Sequence, residues 1–477
     1  MSDTHRIEFE ALEYHADASV QPAHFSMEGS SETGWRIIRD GADHLSLGAG
    51  YVLLRTARCG VCSTDLSRQF LPFPLPQVTG HEVIAVDESG MRYAVEINAS
   101  HKARGRTTAC AFCRNGMATH CPERRVLGIH DLPGGFGPWL LVPENAALRV
   151  PDEMEDDTAV LIEPFAAALH AVQRIAIEKG DRIAVLGTRR LGLLAVAALA
   201  AHRRNRKLDY TLLGLSRHQR LQELAREFGA DQAGPPPEPG RAEPVADIVI
   251  DTTGSPAGLE LAIELAEREV HLKSTHGRPA AGLQHLTEAV VDEIGFRHFG
   301  TAAEAHLSEL AHPESERPLV LWQSQSTPPE WLLKATQCIQ ERDSGAARDA
   351  LRTSRESLPA ADLVVVDGGR GVDRALRPWP DQQTGLVRPT GEIAVLRADT
   401  TDGPLVTALI EKNLRLSTSR CGDFRTALDM ITNDPELAAQ LPLMISHHLA
   451  ADRLDEALRL AGTPDCLKVV VDHPILT

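Results

Sequence analysis

Residues 181–204, "DRIAVLGTRRLGLLAVAALAAHRR", join a short apolar run to a long Leu/Ala run through a turn with glycines at 187 and 192. The first run reads as a buried parallel strand and the second as a buried helix. A first glycine in such a turn allows the tight bend, and a third lets the helix pack on the strand. The helix then offers its free N–H groups to an anion. Arg189 stands where the middle glycine of a G-x-G-x-x-G turn belongs. Its Cβ and guanidinium crowd the phosphate path, yet a guanidinium can also take phosphate oxygens bidentately. We therefore expect dinucleotide binding to survive, with Gly187, Arg189 and Gly192 around the cofactor.

The surrounding chain supports that turn. From Glu163 onward helix-like and strand-like runs alternate ("PFAAALHAVQRIAI", "DYTLLGL", "HQRLQELAREFGAD", "ADIVIDTTG", "AGLELAIELAE", "REVHLKST"), which implies a parallel sheet covered by helices. The strand in "YTLLGLSRHQR" ends without the acid that would take the ribose hydroxyls of NAD. Ser216, Arg217 and His218 follow instead, a small and basic set suited to a 2′-phosphate, so NADP is expected in preference to NAD. The alternative is that Arg217 and His218 merely begin the next helix. The proline-rich stretch 233–244 is expected to be surface loop. Residues 300–410 repeat a strand–helix–strand–helix–strand order, as a degenerate duplication or simply as another α/β unit. The first 150 residues instead carry short β-like runs punctuated by Gly and Pro, and after Cys421 the chain reads as helices and one last strand, "CLKVVVD".

At 477 residues the chain exceeds what one core sustains, so two domains are expected. A formal net charge of −17 disfavours nucleic acid as a partner. The opening "MSDTHRIEFEALEYH" has no apolar run, and the apolar helix 191–201 is shorter than the roughly 20 residues that span a bilayer. A cytoplasmic protein with no membrane partner is the expectation. Five of the eight cysteines fall between Cys59 and Cys121, a clustering that suggests metal.

Cys62 ends a strand-like run, and His81 and Glu82 follow nineteen and twenty residues later. A thiolate, an imidazole and a carboxylate are ligand types of a catalytic zinc, a Lewis acid that acidifies an alcohol. Each residue alone has a commonplace structural reading. Thr64 can relay the released proton through its hydroxyl, or be an ordinary strand-end threonine. Asp65 is placed to orient a ligating imidazole. Cys59 forms a C-x-x-C with Cys62 and reads as packing.

Together with "GGFGPWLLVP" at 134–143 and "EPFAAALHAV" at 163–172, the run Gly60–Asp65 and the triplet Gly80, His81, Glu82 resemble the zinc-dependent medium-chain dehydrogenase/reductase superfamily. The resemblance implies that Cys62 and His81 ligate a catalytic zinc, with Glu82 in or beside the ligand set. Glu163 matches the glutamate of the polyol, threonine and glucose dehydrogenase branches. It also implies a structural zinc lobe with four cysteines. Cys110, Cys113 and Cys121 match the last three, while the first position falls on Thr107, a poor zinc ligand. His101 or His120 could complete the set; the expectation is nevertheless no tightly bound structural zinc, and one zinc per chain.

The implied fold is α/β: a β-rich GroES-like catalytic domain (1–160, completed by 421–477) and a doubly wound Rossmann cofactor domain (161–420) with an α/β insertion, the active site lying in the cleft between them. The implied function is a zinc-dependent oxidoreductase moving hydride between NAD(P) and an alcohol or polyol, or its carbonyl compound, in a homo-oligomer, dimer or tetramer. A second reading is a catalytically retired relative serving as a nucleotide-binding or scaffolding protein. Arg189, the missing cysteine and the insertion favour it; the intact Cys62, His81, Glu82 and Glu163 oppose it.

Overall fold

The computed structural model describes residues 5–106, 109–240, 243–274, 277–300, 307, 310, 317–379 and 384–474. The chain divides into two compact units, one formed by 1–166 with 422–477 and the other by 167–421. The division falls inside the helix Ile162–Arg174, a few residues beyond the expected boundary at 160.

The first unit holds two main sheets. One is an antiparallel meander of His5–Tyr14, Val20–Ser30, Gly34–Arg39 and Ala42–Leu47. These strands fall within the first 150 residues expected to be β-rich, although "HRIEFEALEYH" mixes charged with apolar residues. That alternation is itself the signal of a half-buried strand: the outer strand has an exposed face, while Phe25, Met27, Trp35 and Ile37 are buried. The other sheet runs in the order Ala147–Arg149, Arg92–Val95, Glu82–Val86, Tyr51–Gly60, Lys468–Asp472, Ile445–Ala450, with Trp139–Pro143 also paired to Tyr51–Gly60. The C-terminal return is thus stitched beside the strand leading to Cys62, through Val470↔Gly60 and Val471↔Cys59. It contributes two strands rather than the expected one. "ISHHLA" escaped notice because its exposed histidines hide the strand period.

The second unit is built on an eleven-stranded sheet. Six parallel strands come first, in the order Gln232–Gly234, Thr211–Leu215, Arg182–Leu186, Ala246–Asp251, Ala266–Leu272, Arg415–Thr418. This is the doubly wound order in which the chain turns outward in both directions from the strand before the glycine turn. Ala233 and Gly234 pair as an edge strand, so the proline-rich stretch begins as sheet rather than loop. The 300–410 region extends this sheet and is not a separate lobe. Gly295–His298 meets Arg415–Thr418 antiparallel through Phe296↔Leu416. Val387–Arg397, Ala361–Asp367, Leu319–Trp322 and Gln337–Gln340 then continue outward, parallel. Gln337–Gln340 is a strand that the sequence reading absorbed into the preceding helix; its ends are polar and it occupies the sheet edge. Leu283, Phe296, Val364, Val395, Leu409 and Leu416 share one apolar core with Ala184 and Val249, which is why insertion and nucleotide-type strands form one sheet. Among the described residues no helix is long and apolar enough to cross a membrane.

Candidate metal and cofactor sites

The strand Tyr51–Gly60 delivers Cys62 to the start of the short helix Ser63–Leu66. Asp65, fully buried, turns back on that start: its Oδ2 accepts the Cys62 N–H at 2.8 Å and its Oδ1 accepts the Gly80 N–H at 3.2 Å. The same Oδ1 lies 3.5 Å from Nδ1 of the buried His81. One carboxylate therefore fixes both segments that carry the proposed ligands. Gly80 has φ +94°, and a Cβ there would lie 2.8 Å from Cys59 Sγ and 2.9 Å from Phe136 N, so only glycine lets His81 enter at this angle. Burial works against a charged His81, but the Asp65 carboxylate and the Cys62 sulfur outweigh it and hold its pKa well above the usual imidazole range. Cys62 is half-buried, with Sγ 3.6 Å from Thr64 Oγ1. Cys59 is buried beside Gly80 and Gly135, and burial together with Asp65 and Glu82 pushes its thiol pKa far up, which makes it an inert packing residue.

Glu82 opens the strand Glu82–Val86 and is fully buried. Lys468 Nζ donates to both its carboxylate oxygens at 2.6 Å and to Val61 O at 3.3 Å. Lys468 was missed in the sequence. A lysine directly before the apolar run "VVV" in the strand "KVVVD" was the available signal, since buried lysines occur almost only in pairs. Glu163 is half-buried in the first turn of Ile162–Arg174. Among the described residues, Cys62, His81, Glu82 and Glu163 do not form a set with three ligand atoms within 4.8 Å of one another. His101, Cys110, Cys113 and Cys121 do. The lobe expected to be metal-free thus has four donors gathered, with His101 in the place of the missing thiolate. Thr107 lies outside the described residues, and His120 Nδ1 pairs with Thr119 Oγ1 at 3.1 Å.

In the second unit, Gly187 has φ +92° and its N–H donates to Leu215 O at 2.9 Å. A Cβ on Gly192 would sit 2.4 Å from Gly187 O, so the third glycine is required for the helix Arg190–Arg206 to pack against the turn. Arg189 precedes that helix with φ −102°, outside the left-handed region that favours glycine. The backbone therefore accepts arginine at the second position. Ser216 is buried at the end of the next strand, its hydroxyl accepting the His218 N–H at 3.3 Å, while Arg217 and His218 are exposed. Two further groups at strand carboxyl ends were not foreseen. Burial raises the pKa of Asp251 to about 6, and the buried Lys273 donates to Ser419 Oγ at 3.0 Å.

Residues 48–152 match the family model of the alcohol dehydrogenase GroES-like domain. The chain is 25% identical over 235 residues to the sorbitol dehydrogenase of Bacillus subtilis (strain 168), covering 46% of this chain and 65% of that protein. It is 30% identical over 237 residues to the L-threonine 3-dehydrogenase of Saccharopolyspora erythraea, covering 46% and 66%. The chain belongs to the zinc-dependent medium-chain dehydrogenase/reductase superfamily. Its match thus spans about two thirds of the length of these curated superfamily members. The NADP-bound structure of a Sinorhizobium meliloti 1021 protein described as a zinc-binding dehydrogenase superposes with a TM-score of 0.54 at 17% identity, over 98% of this chain and 99% of that one. This superfamily fold is the expected one: a GroES-like domain and a Rossmann domain, here carrying an α/β insertion.

Proposed function

We propose that the chain is a zinc- and NAD(P)-dependent oxidoreductase that interconverts a secondary or polyhydroxy alcohol and its carbonyl compound. The observation that carries this is the buried assembly of Asp65 with Cys62 and His81. The donor set suits zinc: a half-buried thiol stands near a buried imidazole whose Nδ1 faces the Asp65 carboxylate at 3.5 Å, the arrangement in which a carboxylate orients a metal-binding histidine. Cys62 and His81 would hold the metal, and Glu163, which is not gathered with them in this structure, would have to close on the ion as a third protein ligand; the bound zinc would supply Lewis-acid polarisation of the substrate oxygen.

The residues around them divide the remaining work. Asp65 positions both ligands by accepting the Cys62 and Gly80 N–H groups. Thr64, whose Oγ1 is 3.6 Å from Cys62 Sγ, passes the alcohol proton outward through its hydroxyl. Glu82 acts through its ion pair with Lys468, which fixes the Val61–Cys62 segment by way of Val61 O. Gly187, Arg189 and Gly192 receive the pyrophosphate. Ser216 and Arg217 receive the 2′-phosphate of NADP, and the relatives' names, sorbitol and threonine dehydrogenase, support a polyol or hydroxy-amino-acid class of substrate.

The test is to replace Cys62 or His81 by alanine and assay NADP-linked oxidation of a polyol panel. Turnover should vanish while NADPH affinity stays within about twofold. Retained turnover in Cys62→Ala would sink the assignment, whereas Cys59→Ser should leave both properties intact.

A further inference from the structure

We propose that His101 replaces the missing first thiolate and completes a second, structural zinc site of Cys₃His type, bound through Nδ1 and oriented by Glu123. This goes beyond the oxidoreductase reading and does not rest on it.

The distances fit a tetrahedral zinc. With Zn–S near 2.3 Å and Zn–N near 2.05 Å, the edges of a tetrahedron are about 3.8 Å between sulfurs and about 3.6 Å between nitrogen and sulfur. Cys110 Sγ lies 3.9 Å from Cys121 Sγ, and Cys121 Sγ lies 3.3 Å from His101 Nδ1. All four ligand atoms fall within 4.8 Å of one another. A disulfide needs sulfurs about 2.05 Å apart, so Cys110 and Cys121 stand at metal-sharing rather than bonding separation.

The imidazole is also prepared for this role. His101 is 3% exposed, and its Nε2 lies 2.9 Å from Glu123 Oε2. A carboxylate there accepts the Nε2–H, which leaves the Nδ1 lone pair facing the sulfurs; this is the carboxylate–histidine–metal arrangement that fixes tautomer and ring angle. Arg104, 3.7 Å from the same oxygen, holds Glu123 in place. The Cys113 N–H donates to Cys110 Sγ at 3.4 Å, the kind of backbone bond that stabilises a thiolate. Three thiolates and a neutral imidazole around Zn²⁺ carry one net negative charge, where four thiolates would carry two. The chain reaches this set from outside the cysteine loop, since His101 precedes the vacant thiolate position by six residues.

The experiment measures zinc per chain by elemental analysis in a full-length Cys62→Ala background, so that the site of the proposed oxidoreductase chemistry is not counted. We expect one zinc there, none in Cys62→Ala/His101→Ala, and one again in Cys62→Ala/His101→Cys. Glu123→Gln should keep the zinc but bind it roughly 10- to 100-fold more weakly in chelator competition. In cobalt-substituted protein, the thiolate-to-cobalt charge-transfer band should intensify from His101 to the His101→Cys variant. Should His101→Ala fail to fold, Glu123→Gln and His101→Cys still decide the matter. Undiminished zinc in His101→Ala, unchanged zinc affinity in Glu123→Gln, or a Cys110–Cys121 disulfide in freshly isolated protein would each overturn the proposal.

Discussion

Two places in this chain depart from the superfamily's pattern, and the structure treats them differently. In the cysteine lobe a ligand is absent from its usual position, and a histidine from elsewhere in sequence stands in its place. In the glycine turn the odd residue stays where it is, because Arg189 has φ −102° and needs no glycine backbone. A departure in a motif thus marks where to look, but not whether the fold repairs the loss by recruitment or absorbs it in place. The first outcome depends on side chains meeting through space; the second depends on one pair of backbone angles.

The largest effect should come from neither departure but from the unaltered Cys62–His81 motif, where Cys62→Ala or His81→Ala is expected to abolish turnover. Next is the ion pair that supports it. Lys468→Ala leaves the Glu82 carboxylate buried and unpaired, which should cost about 3–5 kcal/mol in urea unfolding. A loss under about 1 kcal/mol would mean that water reaches Glu82 and that the pair is not structural.

Asp251 tests the strand beside the glycine turn. Its folded pKa, about 6, lies above its ordinary value of 3.8. Ionising it therefore costs more in the folded than in the unfolded chain, and its contribution to stability is intact below pH 4 and lost as pH rises through 6. Asp251→Asn should match wild type near pH 4 and exceed it by at most about 3 kcal/mol at pH 8, as followed by denaturant titration. A variant less stable at pH 8 would show that the ionised carboxylate is needed in the fold.

The two departures themselves give the smaller, sharper effects. If Arg189 ligates phosphate, Arg189→Ala weakens NADPH and NADH alike by roughly 1.5–3 kcal/mol. Tighter binding by Arg189→Gly would show instead that the arginine obstructs. Arg217→Ala should weaken NADPH alone, and equal weakening of NADH would remove the argument for NADP.

Much of the fold was legible because its signals are local. The strand–turn–helix at 181–204 announced itself through glycine spacing and an unbroken Leu/Ala helix, and the order of Cys62, His81 and Glu82 pointed to the proposed metal chemistry. What stayed hidden is non-local or polar. The Lys468–Glu82 pair joins residues 386 apart in sequence. The choice of His101 over His120 or no ligand at all is decided by Glu123 and by the packing of three cysteines. The strands Ile445–Ala450 and Gln337–Gln340 carry too many polar residues for their period to stand out from helix or loop. The insertion was visible as α/β, but its continuity with the main sheet depends on a single antiparallel meeting, Phe296 with Leu416, which no local pattern encodes.

The central claim is that the glycine turn with Arg189 in it is a working NAD(P) site, and calorimetric titration of the zinc-replete chain with NADPH tests it most directly. The account predicts saturable binding at one site per chain, preserved in Cys62→Ala, weakened in Arg189→Ala and weaker for NADH than for NADPH. No detectable binding of either cofactor to the wild-type chain would contradict it.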